Sequence, residues 1–466
     1  MPGQEAARLH YFRANAWAGK RLAKPQGWRW ISEEINSELL CLRQAAAHPD
    51  FSQLDKVQRA QIHTNLGNLL NHIGRFVEAV EAWDDAIALV PRMGMANGNR
   101  GIGLSYFGSQ LYDPGHSAML GLAARDALRR ALAPDAIVDS PGLEPAFASF
   151  QRYAEAIDQQ LGALKDEDLR SRKLFSLGRS RAERAYRQWC LDHRLFLNPL
   201  NDLGADPIAA HDILNLPTLV EEGLGKDFGP PTAIRHFNVL KQEYVTARYA
   251  LYEAMSARGV HFSDRGVLLY DTMDFPAFGF AVERAKLAFR AAYALLDKAA
   301  YFLNDYFQLG HGERQVSFRN LWFRPKGKDL HPRFDGTANW PLRGLFWLSK
   351  DMFDDAFRSV TRPDARELYE LRNHLEHKFV AVHDDILADM AASRRQPSKG
   401  LYDIEFSDLT ARALRQLKLS RAALIYLSLG VHAEERRRES ERDPDRLTMP
   451  MMMFTVRDAE NRRDWF

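Results

Sequence analysis

The sequence has 466 residues, of which 46% are hydrophobic and 27% are charged. This composition is that of a folded protein with a sizeable apolar core, and at roughly 100–200 residues per domain the length predicts two or three domains. The formal net charge of +2, from 63 Lys and Arg against 61 Asp and Glu, excludes a uniformly polybasic nucleic-acid binder but leaves room for a local basic groove. The two cysteines, Cys41 and Cys190, exclude both a disulfide framework and a four-cysteine zinc site.

Neither export nor membrane insertion is indicated. Residues 1–24 lack the uninterrupted apolar core of a signal peptide. No stretch approaches the ~18 uncharged apolar residues that a membrane span needs. We therefore expect a soluble, reduced, cytoplasmic protein that has no membrane partner.

Helical spacing of apolar residues dominates the chain and alternating strand patterns are scarce, so we expect an all-α fold. Proline- and glycine-rich interruptions divide the chain into four parts. They are a helical repeat region at 1–195, a linker at 196–231, a helical bundle at 232–440 with an insertion at about 310–343, and a C-terminal tail at 441–466.

A pair of short helices is predicted between residues 60 and 95. Its small residues are Gly67, Ala79 and Ala86. They allow the two helices to approach closely, while Leu70 and Trp83 fill the space between them and Pro91 ends the second helix. This pair resembles a tetratricopeptide repeat, and a second, degenerate unit begins in phase at Gly101. Stacked repeats of this kind bind a peptide or another domain; the alternative is that they only brace the rest of the chain.

Four long helices are predicted in the C-terminal half, and packed antiparallel they would form a bundle. The first spans about 233–256, the second carries an apolar seam over 282–306, and the fourth runs from about 407 to 433. The third follows Thr361, which can cap it. Its predicted buried stripe is Leu368, Leu371, Leu375, Phe379 and Val382.

The third helix carries the run RNHLEH at 372–377. This run resembles the Arg-polar-x(3)-His signature of the HEPN family, whose members are helical-bundle domains and in many cases metal-independent ribonucleases. Three further segments are similar to a HEPN branch with N-terminal repeats: WCLDHRLFLNPLNDL at 189–203, FRAAYALLDKAAYFLNDYF at 289–307 and PLRGLFWLSKD at 341–351. The resemblance implies that the catalytic residues are Arg372, Asn373 and His377, with Asp297, His374 and Glu376 as supporting residues.

Two other runs match an Arg-to-His spacing, namely Arg43 to His48 and Arg187 to His193. Both lie in the predicted repeat region, and in both the arginine is followed by glutamine. Only Arg372 is followed by a small polar residue within a predicted bundle helix, which favours the run at 372–377.

These residue types suit RNA cleavage by the neighbouring ribose 2′-OH. The reaction needs a base for the hydroxyl proton, an acid for the leaving 5′-oxygen, and cationic donors for the phosphorane oxygens. His377 suits proton transfer because histidine titrates near neutrality, and Arg372 offers a planar, permanently charged fork that matches phosphate oxygens. Asn373 lies four residues before His377 on the same helix face, where its amide can orient the imidazole or contact phosphate. The chemistry requires no metal or other cofactor and yields a 2′,3′-cyclic phosphate and a 5′-hydroxyl.

Arg372 and His377 are five residues apart, which is about 140° around an ideal helix. Helix geometry alone therefore does not bring the two side chains together. Either the arginine side chain swings round the helix, or two copies of the motif meet across a dimer. The HEPN resemblance implies the second arrangement and hence a homodimer formed through the bundle.

Two other interpretations of the motif stay open. In the first, Arg372 pairs with a nearby acid such as Glu376, and His377 is a solvated helix residue. In the second, His374 and His377 bind a metal together with His383, although this spacing lacks the pattern of a metalloprotease helix and no companion carboxylate is placed by the sequence.

Basic residues of the insertion and of the fourth helix are candidates for RNA binding. They are Arg319, Arg324, Lys326, Lys328, Arg343, Arg415 and Lys418. In the insertion they alternate with aromatic residues that suit base stacking, namely Phe318, Trp322, Phe323, Phe334 and Trp340. For those rings, a structural role in anchoring the insertion to the bundle is slightly favoured over base stacking. The stripe Arg412, Arg415, Lys418 and Arg421 is most typical of a solvated helix face, and Asp297 would equally suit a buried pair with Arg or Lys.

The sequence thus favours an RNA-cleaving HEPN dimer whose repeats bind a peptide or protein partner. By family analogy its setting would be prokaryotic defence or toxin-like growth arrest. The rival hypothesis is a non-catalytic scaffold, in which an inactive bundle binds RNA or another protein.

Overall fold

The computed structural model describes residues 4–24, 29–162, 176–222, 232–270, 272, 274–353, 365–385, 400–443 and 448–450. Within these ranges the chain forms thirteen α-helices and four short strands, which confirms the predicted all-α fold class. The helices are α1 (Gln4–Leu22), α2 (Glu33–Ala47), α3 (Lys56–His72), α4 (Phe76–Leu89), α5 (Gly94–Gln110), α6 (Pro114–Ala131), α7 (Glu144–Leu161), α8 (Arg181–Asp192), α9 (Thr232–Ser256), α10 (Phe280–Tyr306), α11 (Trp340–Phe353), α12 (Ala365–His377) and α13 (Phe406–Glu441). The strands are β1 (Val220–Glu222), β2 (Phe379–His383), β3 (Leu401–Glu405) and β4 (Thr448–Pro450). Single 3₁₀ turns lie at Pro49–Gln53, Pro199–Leu203, Pro207–Ala209, Phe262–Asp264 and Glu313–Gln315. No helix in the described ranges is long and apolar enough to cross a membrane.

The N-terminal helices pack as sequential neighbours, with α3 on α4 and α5 on α6. Trp83 of α4 lies between Gly67 of α3 and Gly103 of α5, and is 1% exposed. A Cβ atom at position 67 would lie 2.6 Å from Trp83 Nε1, and one at position 103 would lie 2.3 Å from the far edge of the indole, so both positions require glycine. The small and large residues of the sequence pattern therefore meet as the pattern predicts. The tetratricopeptide type of the repeat stays a prediction.

The C-terminal half is built around α13, which packs on α9, α10 and α11. The predicted seam of α10 is buried, since Ala285, Phe289 and Leu296 are each at most 1% exposed. Helix α11 is a fifth element of this bundle that the four-helix prediction omits. Its buried side chains include Leu345 and Trp347, both fully enclosed.

The predicted third helix is shorter than expected, and its predicted stripe is wrong at the C-terminal end. Helix α12 ends at His377, and the following residues form β2, which pairs in parallel with β3 from Phe379↔Leu401 to His383↔Glu405. Phe379 is 76% exposed, whereas Val382 is buried on the strand. The β-branched and aromatic residues here favour a strand once a partner is present to pair with it. The predicted cap at Thr361 lies outside the described residues.

The segment predicted as a linker is packed over much of its described part. Leu197, Asn198 and Asn201 are fully enclosed, and Leu200 is 3% exposed. The Asn201 side-chain amide donates to the carbonyls of Leu191 and Gly204, both at 3.1 Å, which ties this buried turn together. Further along, β1 pairs antiparallel with β4, so the C-terminal tail lies against this segment.

The basic stripe of α13 is not a solvated face, because three of its four residues contact carboxylates. Arg412 pairs with Glu367 at 2.6 Å and Lys418 pairs with Glu81 of α4 at 2.7 Å. Arg421 is 2% exposed and donates to Asp202 at 2.6 Å. It also donates to the carbonyls of Phe196 and Asn198, at 2.6 and 2.8 Å. Through these side chains α13 is joined to α12 by Arg412, to α4 by Lys418 and to the segment after α8 by Arg421.

The opposite side of this junction is also ionic. Arg43 of α2 and Arg75 beside α4 both contact the Asp351 carboxylate of α11, the Arg43 Nη2 to Oδ2 distance being 2.6 Å. Glu78 accepts from Arg75 at 2.5 Å and from the Tyr426 hydroxyl of α13. Buried charges with several partners of this kind are costly to break one at a time.

Arg421→Met tests the junction because it leaves the Asp202 carboxylate enclosed without its cation. We expect the free energy of unfolding to fall by about 3–5 kcal/mol, the usual cost of one unpaired buried charge. The exposed pair of Arg129 with Asp158 provides the control, since Arg129→Met is expected to cost less than about 1 kcal/mol. Chemical denaturation followed by tryptophan fluorescence measures both changes, and equal losses would contradict the role of Arg421.

Candidate active site

Helix α12 is held by one apolar stripe. Leu368 and Leu371 are 1% and 0% exposed, and Leu375 packs half-buried against the same core. Their spacings of three and four residues place them on one face, which contacts α10 and α11. With that face fixed, the polar residues of the motif are directed along the sides of the helix and toward its C-terminal end.

Arg372 lies beside α10. Its guanidinium carbon is 5.8 Å from the centre of the Tyr293 ring, and its Nη1 donates to Asn373 Oδ1 at 3.2 Å. Among the described residues no carboxylate lies within ion-pair distance of Arg372. The amide of Asn373 therefore orients the guanidinium, while the sequence analysis expected it to orient the imidazole or bind phosphate.

Glu376 pairs with Arg290 of α10 and not with Arg372. Arg290 Nε and Nη2 donate to the two carboxylate oxygens at 3.1 and 3.2 Å. This hydrogen-bonded pair lowers the pKa of Glu376, with smaller contributions in the same direction from Arg372 and His377. One carboxylate thus lies within electrostatic range of three cationic or basic groups, and the alternative in which Glu376 neutralises Arg372 is wrong.

His377 and His374 have different surroundings. His377 is exposed and is the last residue of α12. The His374 ring packs at a tilt of 40° against Tyr402 of β3, with ring centres 5.2 Å apart, and its Nδ1 donates to the Glu370 carbonyl at 2.8 Å. Tyr402 in turn accepts from Arg412 at 2.6 Å. His374 therefore supports the helix through packing, while His377 remains accessible from solvent.

His383 is fully enclosed on β2. Its Nδ1 is 3.0 Å from the Asp274 carbonyl oxygen and its Nε2 is 2.8 Å from Asp403 Oδ1 of β3. Both neighbours are acceptors, so the ring ties the strand pair to the segment before α10. Among the described residues no group of three or more His, Cys, Asp or Glu side chains is placed to hold a metal ion.

Asp297 lies on the same face of α10 as Arg290 and Tyr293, because the three residues are spaced by three and four. Its Oδ1 accepts from the Phe318 backbone N–H at 3.1 Å. The alternative of a pair with Arg or Lys is therefore wrong; the contact instead attaches the insertion to α10. Arg290, Tyr293 and Asp297 form a polar stripe that begins beside the motif and ends at the insertion.

The family comparison decides what this bundle is. A family model described as LA2681-like HEPN matches residues 224–434. These residues form an LA2681-like HEPN domain. The matched range includes α9 to α12 and most of α13, and it contains all of 372–377. The same comparisons found no matching curated protein and no matching solved structure.

The predicted RNA-binding residues of the HEPN domain divide into two groups. The side chains of Arg319, Arg324, Lys326 and Lys328 are exposed on the insertion. Arg343 is wrong as an RNA contact, since it is 2% exposed, donates to the His72 carbonyl at 2.9 Å, and has its pKa lowered to about 10 by burial. Arg415 and Lys418 face the N-terminal region. Burial there lowers the pKa of Arg415, while Lys418 forms an ion pair with Glu81.

The aromatic residues of the insertion serve mainly as its anchor. Phe318, Trp322 and Phe334 are fully enclosed. Trp340 donates through Nε1 to the Asn71 carbonyl at 2.7 Å, and Phe323 is half-buried. Base stacking on the first three is excluded by their burial.

The residues that surround the motif were not predicted from the sequence. Arg290 and Tyr293 carry a signal that could have revealed them, because they share a helical spacing of three and four residues with Asp297. Tyr402 and Asp403 carry no such signal, since strand β3 lies about 25 residues beyond the motif and its pairing with β2 is not local.

Arg290→Gln tests the polar stripe. Removing the guanidinium should raise the pKa of Glu376 toward the ordinary glutamate value, because the largest cause of its depression is lost. Because the pKa of Glu376 is lower in the folded state than in the unfolded state, the pair stabilises the fold fully at pH values above the unfolded pKa. This stabilisation is lost as the pH falls through the folded pKa. An NMR titration of the Glu376 carboxyl carbon measures the shift. Lys286→Gln, which removes the partner of Glu283 on the same helix, should leave Glu376 unchanged.

Proposed function

We propose that the chain is a metal-independent endoribonuclease that cuts RNA by attack of the ribose 2′-OH. The observation that supports this most strongly is the environment of the motif in the LA2681-like HEPN domain. His377 is exposed, and Arg372, five residues earlier on the same helix, is half-exposed and has no carboxylate partner among the described residues. A salt-bridged, enclosed His377 would have favoured the scaffold hypothesis.

Each step of the reaction has a candidate group. An imidazole removes the 2′-OH proton, and the 2′-oxygen attacks phosphorus. The bond from phosphorus to the 5′-oxygen then breaks as the 5′-oxygen takes a proton from a second imidazole. The guanidinium of Arg372 donates to the non-bridging oxygens as charge develops on them. Glu376 remains engaged with Arg290, which leaves the donors of Arg372 for phosphate. The products carry a 2′,3′-cyclic phosphate and a 5′-hydroxyl.

The reaction needs a base and an acid, while the motif of one chain supplies a single exposed imidazole. Two copies that face each other supply two, so the mechanism favours a homodimer with a shared cleft. The structure offers a surface suited to this contact on the segment between α9 and α10. Its large exposed apolar side chains are Val260, Phe262, Val267, Leu268, Leu269 and Tyr270. Apolar exposure of this density is typical of an interaction surface.

The segment is connected to the motif through strand β2, which follows α12. The Ala277 N–H donates to the Val382 carbonyl at 2.7 Å, and Pro276 forms a bridge with His383. Phe379, at the start of the same strand and two residues after His377, adds a further exposed ring. We propose that a second copy docks on this segment and on Phe379.

The rest of the proposal concerns the cellular role. The helical repeats are the part of the chain suited to a peptide or protein partner, and binding there would control access to the nuclease site. A cytoplasmic setting in prokaryotic defence or toxin-like growth arrest fits such a regulated nuclease by family analogy.

His377→Ala and Arg372→Ala should each reduce RNA cleavage by about 10²–10⁴-fold, since each removes a proton-transfer or charge-stabilising group. The assay uses purified protein with tRNA and mRNA in EDTA. His193→Ala is the matched control, because it belongs to a similar Arg-to-His run outside the HEPN domain and should cleave like the wild type.

If the wild type and both motif variants cleave RNA equally, the catalytic site does not include Arg372 and His377. Loss of wild-type cleavage in EDTA, with recovery on adding a divalent cation, would replace this mechanism by a metal-dependent one. Binding of RNA without cleavage under all conditions would support the non-catalytic alternative.

Leu268→Asp should convert the dimer to monomers, because it places a charge in the centre of the proposed apolar contact. Sedimentation equilibrium measures the mass, and cleavage should fall together with dimerisation. Val138→Asp, a substitution at a residue 57% exposed in the N-terminal region, should leave both unchanged. A monomeric wild type that cleaves RNA would contradict the shared cleft.

A further inference from the structure

A groove with cationic and aromatic walls lies where the N-terminal region meets the HEPN domain. It has a volume of about 450 Å³, within the roughly 300–1,000 Å³ typical of small-ligand clefts. Ile31, Arg319, Phe323, Phe346, Lys350 and Phe353 line it, and we refer to these six residues as the aromatic–cationic groove. No carboxylate is among its lining residues.

The turn that carries Arg319 is held firmly. The Phe318 N–H donates to Asp297 at 3.1 Å, and its carbonyl accepts from Ser349 Oγ at 2.8 Å and from Trp322 Nε1 at 2.9 Å. Arg319 follows directly and is exposed, and its guanidinium has no acceptor among the described residues. The fold therefore fixes the backbone and leaves the charged group available.

The opposite wall is one stripe of α11. Phe346, Lys350 and Phe353 are spaced by four and three residues and so lie on one helix face. Lys350 Nζ is 4.9 Å from the centre of the Trp347 ring and donates to Asn36 Oδ1 at 2.9 Å, which holds the ammonium at the edge of the groove. Phe346 is 1% exposed, so the half-buried rings of Phe323 and Phe353 are the ones that a ligand can reach, beside two cations.

The groove continues the polar stripe that begins at the motif. Tyr293 lies against the Arg372 guanidinium, and Asp297, four residues later on α10, holds the turn that presents Arg319. Four residues advance a helix by about 6 Å. Helix α10 thus contacts both the Arg372 guanidinium, through Tyr293, and the turn that presents Arg319, through Asp297.

We propose that the aromatic–cationic groove binds an unpaired nucleotide of the RNA substrate, with the base against the aromatic wall and its phosphate on Arg319. Ring faces accept any unstacked base, and the guanidinium matches a phosphate oxygen pair. A base inside a duplex has neither face free, so the groove selects single-stranded RNA or the loop of a folded RNA. This inference deepens the proposed function and depends on it for the identity of the ligand.

Fluorescence anisotropy with a labelled, fully 2′-O-methylated single-stranded RNA measures binding to the wild-type chain without cleavage. Arg319→Glu and Phe353→Leu should each raise the dissociation constant about tenfold, the effect of one lost stacking or phosphate contact. Arg314→Glu, an exposed arginine of the same insertion outside the groove, and Phe12→Leu, an exposed ring on α1, should bind as the wild type does. The same RNA in a duplex should bind weakly to all of them.

Thermal unfolding midpoints show whether a variant is merely destabilised. If Phe353→Leu lowers the unfolding midpoint, the RNA affinities of Arg319→Glu and Arg314→Glu are compared instead to test the groove. Equal RNA affinity of those two variants overturns the groove assignment, as does tighter binding of an acidic, aromatic peptide than of RNA. Cleavage of unmodified RNA is measured separately. If the wild type cleaves RNA but the groove variants bind as the wild type does, the nuclease proposal stands and the groove assignment fails. If the groove variants lose RNA binding but the wild type does not cleave, the groove assignment stands and the nuclease proposal fails.

Discussion

The packing of one short helix determines the geometry of the proposed site. Helix α12 has 13 residues, a length at which an isolated helix is marginal in water, so its contacts with α10 and α11 supply its stability. Burial of Leu368 and Leu371 fixes the rotation of the helix about its axis. From that rotation follow the position of Arg372 over Tyr293, the pairing of Glu376 with Arg290, and the exposure of His377 at the helix end.

The N-terminal region is attached to the same framework by buried charges. Asp351 of α11 is held by Arg43 and Arg75, and α13 is held through Arg421 and Lys418. One of the two helices on which α12 rests, α11, is thus also held by the N-terminal region. Such pairs contribute modest net stability but strongly penalise any arrangement that separates them, so they fix one relative placement of the two regions.

Much of this organisation could be predicted from the sequence because it depends on local periodicity. The seam of α10, the small residues around Trp83 and the motif helix all repeat at spacings of three and four, and each was found in the expected place. Periodicity failed where the partner is distant in sequence. Phe379 and Val382 continue the helical spacing of α12, yet they pair with β3 as a strand, because the residues that complete the sheet lie some 20 positions later.

The same limit explains the errors among the charged residues. The stripe on α13 has the spacing of a solvated face, and nothing in its own sequence reveals that Glu81 and Asp202 lie opposite. Arg343 resembles its exposed neighbours in the insertion, although the start of α11 encloses it. A local pattern identifies which residues share a face, whereas the function of that face depends on what the fold places against it.

The most direct test of the central claim is the chemistry at a single cut. An RNA whose preferred cleavage position carries one 2′-deoxynucleotide should remain intact there, while neighbouring positions and the all-ribose RNA are cut to ends that mass spectrometry identifies as 2′,3′-cyclic phosphate and 5′-hydroxyl. Cleavage at the deoxynucleotide, or ends bearing 5′-phosphate, would contradict attack by the ribose hydroxyl and with it the roles assigned to His377 and Arg372.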